Sequence, residues 1–234
     1  MNPPPILGLA LPLYNEEAVC ESVIRALSEA LTAARIPHEL VLVNNGSEDG
    51  TGGLLNRLCG QLQRVRAVHL EVNAGYGGGI LAGINQLETP IVGWYWGDGQ
   101  VAPEVVVACY RAMLSGGLEL VKARRVERRD GAQRLAVSRI YNGLMRAGFS
   151  AGTDDVNGCP KLLRRSAWDA ISPRSLDWFL DPEVWLTARE LGLRTGEVDA
   201  VMLPRAGGAS KVRGDTLVQF LTHLAAWKRG WRPG

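Results

Sequence analysis

The stretch Ile91 to Glu104, IVGWYWGDGQVAPE, decides how this chain is read. It starts as an apolar, aromatic run, which suits a strand buried in a sheet. It ends in Gly97, Asp98, Gly99 and Gln100, which do not extend comfortably as a strand. A carboxylate therefore stands at the tip of a core strand, between glycines that leave room for close approach of a ligand. In open α/β sheets, ligands bind beyond the carboxyl ends of the strands. Asp98 and Gln100 carry hard oxygen donors of the kind that hold a divalent cation against a diphosphate. By itself the Gly97-Asp98-Gly99 segment reads equally well as a plain turn, so the flanking sequence has to choose.

Working back from this stretch, apolar runs alternate with helical periodicity. Ile6 to Leu13 and Glu39 to Val43 read as buried strands, Val65 to Leu70 as a third, and Ile91 to Trp96 as the fourth. Between the first two, Val19, Val23, Leu27, Ala30 and Ala34 recur on one helical face. Leu54, Leu55, Leu58 and Leu62 mark a second helix, with Asp49 or Thr51 placed to cap it. A glycine-rich loop, Asn73 to Gly79, leads into a short helix ending near Leu87. Three strand–helix alternations predict parallel strands joined by right-handed crossovers. The loops Pro12 to Glu17, Asn44 to Thr51, Asn73 to Gly79 and Gly97 to Gln100 then gather along one sheet edge. That is a nucleotide-binding layout, without the G-x-G-x-x-G or G-x-x-x-x-G-K-[ST] phosphate loops.

Beyond Glu104 the pattern is less regular. Pro103 to Leu114 reads as a helix, Leu118 to Val121 as a strand, and Arg124 to Arg134 as a polar, arginine-rich stretch. A helix over Leu135 to Ala147, a short strand over Lys161 to Arg164, a helix over Pro182 to Leu191 and a strand over Glu197 to Leu203 follow. Arg205 to Arg213 is a glycine-rich basic loop, and Thr216 to Trp227 is an amphipathic helix with Leu217, Phe220, Leu221 and Leu224 on one face. The expected architecture is α/β, a Rossmann-like, mostly parallel sheet flanked by helices. With no internal repeat or low-complexity linker, residues 1–234 are expected to form one domain.

Bulk properties narrow the function. With 26 basic and 24 acidic residues in 234, the net charge of +2 gives no argument for nucleic acid. Cys20, Cys59, Cys109 and Cys159 form no CxxC pair, so neither a zinc site nor a redox motif is indicated, and buried thiols in a reducing compartment are expected. No run approaches the roughly 18 apolar residues of a spanning helix. A cytoplasmic location is expected, peripheral to the cytoplasmic membrane face if the chain meets a membrane at all.

Four motifs, in order and spacing, resemble the family 2 glycosyltransferases of the GT-A fold, and within them the dolichyl- and polyprenyl-phosphate sugar synthases. Pro12-Leu13-Tyr14-Asn15-Glu16 resembles "P-x-Y-N-E", and Asn44-Asn45-Gly46-Ser47-Glu48-Asp49-Gly50-Thr51 resembles "D-D-G-S-x-D-G-T". Asn73 to Gly79 resembles "N-x-G-x-G-x-A", and Asp98-Gly99-Gln100 followed by Pro103-Glu104 resembles the end of "D-x-D-x-Q-x-x-P-E". Asp155-Val156-Asn157-Gly158, Lys161 to Arg165, Glu183 and Arg205 through Lys211 (R-x-x-G-x-S-K) extend the likeness to about Val212. Two departures stand out. Trp96 falls where the family has its first metal-site aspartate, and Asn44-Asn45 replaces an acidic pair.

The resemblance implies inverting transfer of a sugar from a nucleoside diphosphate sugar, GDP-mannose or UDP-glucose type, to a polyprenyl or dolichyl phosphate. It implies Mg2+ or Mn2+ on Asp98 and Gln100. Residues 1–104 would bind the nucleotide sugar and residues 105–213 the acceptor, with residues 214–234 a terminal amphipathic helix. Pro12, Tyr14 and Glu16 would line the nucleoside pocket, with Tyr14 packed on the base and Glu16 accepting from ribose hydroxyls. Asn44 would read the base edge and Asn45 shape the turn, while Gly75, Tyr76, Gly77 and Gly97 would let backbone approach the nucleotide sugar. Arg124 and Arg134 would face the acceptor phosphate beside Asp155 and Ser210; a solvated charged face is the other reading of this arginine cluster. Arg205, Ser210 and Lys211 would fold over the donor diphosphate. An ionised phosphate acceptor needs no general base, whereas a hydroxyl would need one, and Asp155, Asp181 and Glu183 are the candidates. His38, His69 and His223 lie outside every motif and are expected to be structural or at the surface. Trp227, Lys228, Arg229, Trp231 and Arg232 suit either a membrane interface or a helix packed on the sheet. The rival readings are transfer to a soluble hydroxyl acceptor and nucleotide-sugar binding without catalysis.

Overall fold

The computed structural model of this chain describes residues 4–128 and 152–204, with 222–224, 226–227, 229–230 and 233. Seven strands form one sheet in the order β3-β2-β1-β4-β6-β5-β7. The strands are β1 (Leu7–Leu13), β2 (His38–Asn45), β3 (Val65–Leu70), β4 (Ile91–Trp94), β5 (Leu120–Arg128), β6 (Lys161–Arg164) and β7 (Thr195–Met202). β1 pairs parallel with β2 and β4, β2 with β3, and β5 with β7. β6 alone runs antiparallel to its neighbours β4 and β5. The helices are α1 (Cys20–Ala33), α2 (Thr51–Gln61), α3 (Gly75–Ile84), α4 (Glu104–Ser115), α5 (Arg165–Ile171) and α6 (Leu180–Glu190).

The period-2 geometry of a strand sends successive side chains to opposite faces. In β1, Leu7, Leu9, Leu11 and Leu13 enter one core with α1, α2 and α4, while Ala10 enters the other with α3, α5 and α6. Both faces are covered, which is why the central strands read as continuous apolar runs. On α1 the buried residues are Cys20, Val23, Ile24, Leu27 and Leu31, a stripe at helical spacing. Cys20, Cys109 and Cys159 are buried, Cys59 is half-buried, and all four are free thiols.

The structure departs from the expected elements at three places and decides between two readings at a fourth. Gly75 to Gly79 is not loop but the first turn of α3. Glycine is a poor helix former, yet here its missing Cβ lets the helix lie close to its neighbours. A methyl on Gly83 would fall 2.6 Å from Ala10 Cβ, and one on Gly77 would fall 2.1 Å from the Ser175 carbonyl oxygen. β5 runs on past Val121 to Arg128, because β7 supplies a parallel partner along its whole length, across a bulge between Arg125 and Glu127. The short helix α5 was not foreseen. Trp227 is buried, and its Nε1 donates to Glu190 Oε1 at 3.0 Å. With Leu224 it belongs to the α6 side of the core, so at this residue packing, not a membrane interface, is the outcome. The helix expected over Leu135 to Ala147 and the segment from Arg205 through Leu221 lie outside the described residues.

Candidate active site

Parallel pairing brings the ends of β1, β2, β3 and β4 to one edge, and side chains lace the loops there together. Asn15 adopts a left-handed backbone (φ 52°). Its N–H donates to Ser47 Oγ at 3.0 Å, and its Oδ1 accepts from the Glu48 N–H at 2.8 Å. The Glu16 N–H donates to Thr51 Oγ1, and the Glu17 N–H to Asp49 Oδ2. Asp49 Oδ1 also accepts from the Thr51 N–H, so these two residues tie the start of α2 to the first loop, while the N-cap position expected for one of them is taken by Gly50. A hollow of about 270 Å³ opens here, lined by Asn15, Glu16, Glu17, Ala18, Val19 and Asp49. Tyr14 and Pro12 are half-buried beside it in sequence, and Glu16 is buried.

The two asparagines of the second loop serve the scaffold. Asn44 Oδ1 accepts from the Ser47 N–H, and its Nδ2 faces His69 Nδ1 at 3.2 Å. His69 Nε2 in turn meets Asn56 Oδ1 at 2.9 Å. Asn45 Nδ2 donates to the Gly75 carbonyl at 2.9 Å, and its Oδ1 accepts from the Ala74 N–H. The amide that was expected to shape its own turn therefore clamps the glycine-rich segment. Gly75 (φ +82°) and Gly77 press against the backbone of Leu176 and Ser175, and the Gly78 N–H donates to the Leu176 carbonyl. The small residues at these positions are explained by protein packing.

Gly97, Asp98, Gly99 and Gln100 form a turn just past β4. Gly97 sits against Leu13, where a Cβ would meet Leu13 Cδ2 at 2.1 Å, so the tips of β1 and β4 touch. Asp98 is buried, and its Oδ1 accepts from the Gln100 N–H at 3.1 Å. Gln100 Nε2 donates to the Leu203 carbonyl at 3.2 Å, and the Leu203 N–H donates back to the Gln100 carbonyl. With its nitrogen on Leu203, the ligating atom left to the Gln100 amide is Oε1. One carboxylate and one amide oxygen on a single turn fit a hard cation whose other ligands are phosphate oxygens and water. Among the described residues, no group of three or more His, Cys, Asp or Glu could hold a metal by itself.

The second half of the chain supplies a buried set of ion pairs beside this turn. Arg125 Nε and Nη2 grip Asp155 at 2.7 and 2.5 Å, and the Arg125 backbone N–H adds a third bond. Burial works to raise the Asp155 carboxyl, but the Arg125 charge and hydrogen bonds outweigh it and hold it below the ordinary carboxylate value. Lys161 Nζ meets Asp181 Oδ1 at 2.5 Å with both side chains fully buried. Tyr76 donates to Asp181 Oδ2 at 3.1 Å, and Trp96 Nε1 donates to the Tyr76 oxygen at 3.0 Å. Burial, and then the Asp181 charge, keep the Tyr76 phenol protonated well beyond its ordinary range. The Tyr76 ring stacks on Trp178 (4.1 Å, 9°), and the Arg125 guanidinium lies 5.5 Å from the Trp96 ring centre. Glu183 holds the Arg174 and Ser175 backbone N–H groups, one on each oxygen. Lys122, also fully buried, bonds Thr153 Oγ1, the Asp155 carbonyl and Glu197.

Arg124 and Arg125 go to different partners. Arg124 is 39% exposed and pairs with Asp199 of β7 at 2.6 Å, while Arg125 turns inward. Arg134, Arg205, Ser210 and Lys211 lie outside the described residues. Sequence reasoning gave no site role to Arg125, Lys122 or Trp178, while His69 is structural and at the surface as expected. Arg125 carried a usable signal, since it adjoins Arg124 and strand alternation sends the two to opposite sides; for Trp178 there was none.

This geometry has relatives. Undecaprenyl-phosphate 4-deoxy-4-formamido-L-arabinose transferase of Pseudomonas aeruginosa (strain LESB58) is 28% identical over 228 residues, 96% of this chain and 66% of that protein. The Serratia proteamaculans (strain 568) protein of the same name is 25% identical over 220 residues, 93% of this chain and again 66% of the relative. The chain thus spans just under two thirds of these relatives' length. Among solved structures, glucosyl-3-phosphoglycerate synthase from Mycobacterium tuberculosis, in complex with Mn2+, UDP-glucose and phosphoglyceric acid, superposes with a TM-score of 0.74 at 22% identity, covering 97% of this chain and 80% of that one. The same enzyme with Mg2+ and UDP gives 0.72 at 21% identity, with the same coverage. At that identity the likeness establishes the GT-A fold. The sequence model described as Glycosyl transferase family 2 matches residues 9–171, well over half of the chain, and the protein belongs to that family.

Proposed function

We propose that this chain transfers a sugar from a nucleoside diphosphate sugar, of UDP-glucose or GDP-mannose type, to a polyprenyl phosphate, with inversion at the anomeric carbon. The observation that carries the acceptor class is the state of three carboxylates. Both oxygens of Asp155 are on Arg125, those of Asp181 on Lys161 and Tyr76, and those of Glu183 on backbone N–H groups. A hydroxyl acceptor needs a base within hydrogen-bond reach. All three are already committed to an ion pair or to backbone N–H groups, which opposes their service as that base, and an ionised phosphate oxygen needs none. The undecaprenyl-phosphate transferases among the relatives support the same class.

Asp98 and Gln100 would hold Mg2+ or Mn2+, which when bound acts as a Lewis acid on the leaving diphosphate. Pro12, Tyr14, Glu16, Asn44 and Asn45 would shape the nucleoside pocket, with Gly75, Tyr76, Gly77 and Gly97 along its wall. Arg205 and Lys211 would supply charge to the diphosphate, and Ser210 and Arg134 would reach the acceptor phosphate. Arg124 suits the acceptor phosphate too, because its exposed pair with Asp199 is weak enough to exchange for a bidentate phosphate contact. No described helix is long and apolar enough to cross a membrane.

The test is transfer of radiolabel from UDP-glucose or GDP-mannose to undecaprenyl phosphate in detergent micelles with Mn2+. Organic-extractable label that falls at least about 100-fold in Asp98→Asn is the expected result, the scale of losing a group that steadies developing charge. Label appearing only on soluble hydroxyl acceptors would overturn the acceptor assignment.

A further inference from the structure

Trp96 stands two residues before Asp98, at the position where the family's motif has an aspartate, a side chain that accepts hydrogen bonds. An indole cannot accept them; it offers a flat apolar face instead. This indole is held on two sides. Its N–H is fixed on Tyr76, whose own hydroxyl is fixed on the fully buried Asp181–Lys161 pair. The Arg125 guanidinium covers part of the ring, and Arg125 is itself locked on Asp155. Trp96 nonetheless stays half-buried rather than sealed in the core. A ring clamped so firmly and still open to solvent is preorganised to receive a flat partner.

We propose that Trp96 is a specificity-determining residue, the platform on which the apolar C–H face of the transferred sugar packs, with Tyr76 as its positioning residue. This rests on the nucleotide-sugar reading above and adds to it the part of the donor that position 96 reads. Trp96 favours a sugar ring that turns C–H bonds toward it, and disfavours one that needs a hydrogen-bond acceptor there.

Calorimetry with Mn2+ tests this, using UDP against UDP-glucose and UDP-xylose, and GDP against GDP-mannose. In the wild type at least one sugar nucleotide is expected to bind more tightly than its free diphosphate. In Trp96→Ala that advantage falls about tenfold while the free diphosphate keeps its affinity within twofold; Trp96→Phe retains most of it. Tyr76→Phe, which unties the indole N–H, lowers the sugar advantage. Should Trp96→Ala fail to fold, fluorescence decides: the extra quenching by the sugar nucleotide over the free diphosphate should vanish in Trp96→Phe. An unchanged advantage in Trp96→Ala, equal losses for both ligands, or no sugar advantage in the wild type overturns the platform alone. A wild type that binds no diphosphate at all brings down the nucleotide-sugar reading with it.

Discussion

The Tyr76 hydroxyl donates to Asp181 Oδ2 at 3.1 Å, joining residues 105 apart in sequence. One lies in the first turn of α3 and the other in the first turn of α6. Through this bond the glycine-rich segment and the buried Lys161 pair share one carboxylate. Tyr76→Phe removes the donor to Asp181 and the acceptor of Trp96, and is expected to cost about 1–3 kcal/mol. Asp181→Ala leaves the Lys161 charge with only the Gly158 carbonyl among its named partners, and is expected to cost more, roughly 3–5 kcal/mol. Urea unfolding measures both. Equal, near-zero costs would mean that the relay adds nothing to stability.

Two glycines in helices should respond in opposite directions to the same methyl group. Gly77→Ala drives a Cβ to 2.1 Å from the Ser175 carbonyl, and backbone on both sides leaves little room to move. A loss of about 1–3 kcal/mol is expected, the range for overpacking. Gly53 in α2 is exposed and a Cβ there meets nothing within 4 Å, so Gly53→Ala should gain about 0.5–1 kcal/mol from helix propensity. Melting temperatures of the two variants should therefore bracket the wild type.

Lys122 gives the fold an alkaline pH dependence. Burial disfavours its ammonium more than Glu197 favours it, and lowers its pKa from 10.5 to about 8. Between those two values the unfolded chain keeps a proton that the folded chain has lost, so unfolding free energy rises with pH across that window. Relative to Lys122→Met, the wild type should gain stability from pH 8 toward pH 10.5, by roughly 3 kcal/mol in total. Denaturant midpoints of both proteins at several pH values in this window supply the comparison; parallel curves would count against a depressed Lys122.

Metal dependence should reside in Asp98. Mn2+ is expected to tighten UDP binding by the wild type about tenfold or more, and to have no effect on Asp98→Asn. Gln100→Ala should lose part of the metal effect and also loosen the tie to Leu203. Calorimetric titration with and without Mn2+ separates the two, and an undiminished Mn2+ effect in Asp98→Asn would move the metal site elsewhere.

The alternation of apolar runs and helical stripes in residues 6–104 was enough to derive the parallel strands β1 to β4, the helices between them and the shared loop edge. Such patterns are local: a strand buried on both faces must be apolar throughout, and a helix on a sheet must carry a stripe. The turn at Asp98 was legible for the same reason, because the run Gly97-Asp98-Gly99 clusters turn formers directly after an apolar strand. What Asn45, Gly77 and Tyr76 do was not legible, and for Trp227 two readings stayed open. Asn45 serves a segment some 30 residues away, Gly77 a loop near residue 175, and Trp227 a glutamate 37 residues back. The antiparallel β6 and the full length of β5 likewise depend on strands far along the chain. By itself the sequence determined the layered α/β frame and the acid at its rim; only tertiary structure decided which polar groups bind each other. Periodicity reports what a residue's own backbone requires, whereas a hydrogen bond between distant residues depends on where the rest of the chain has packed.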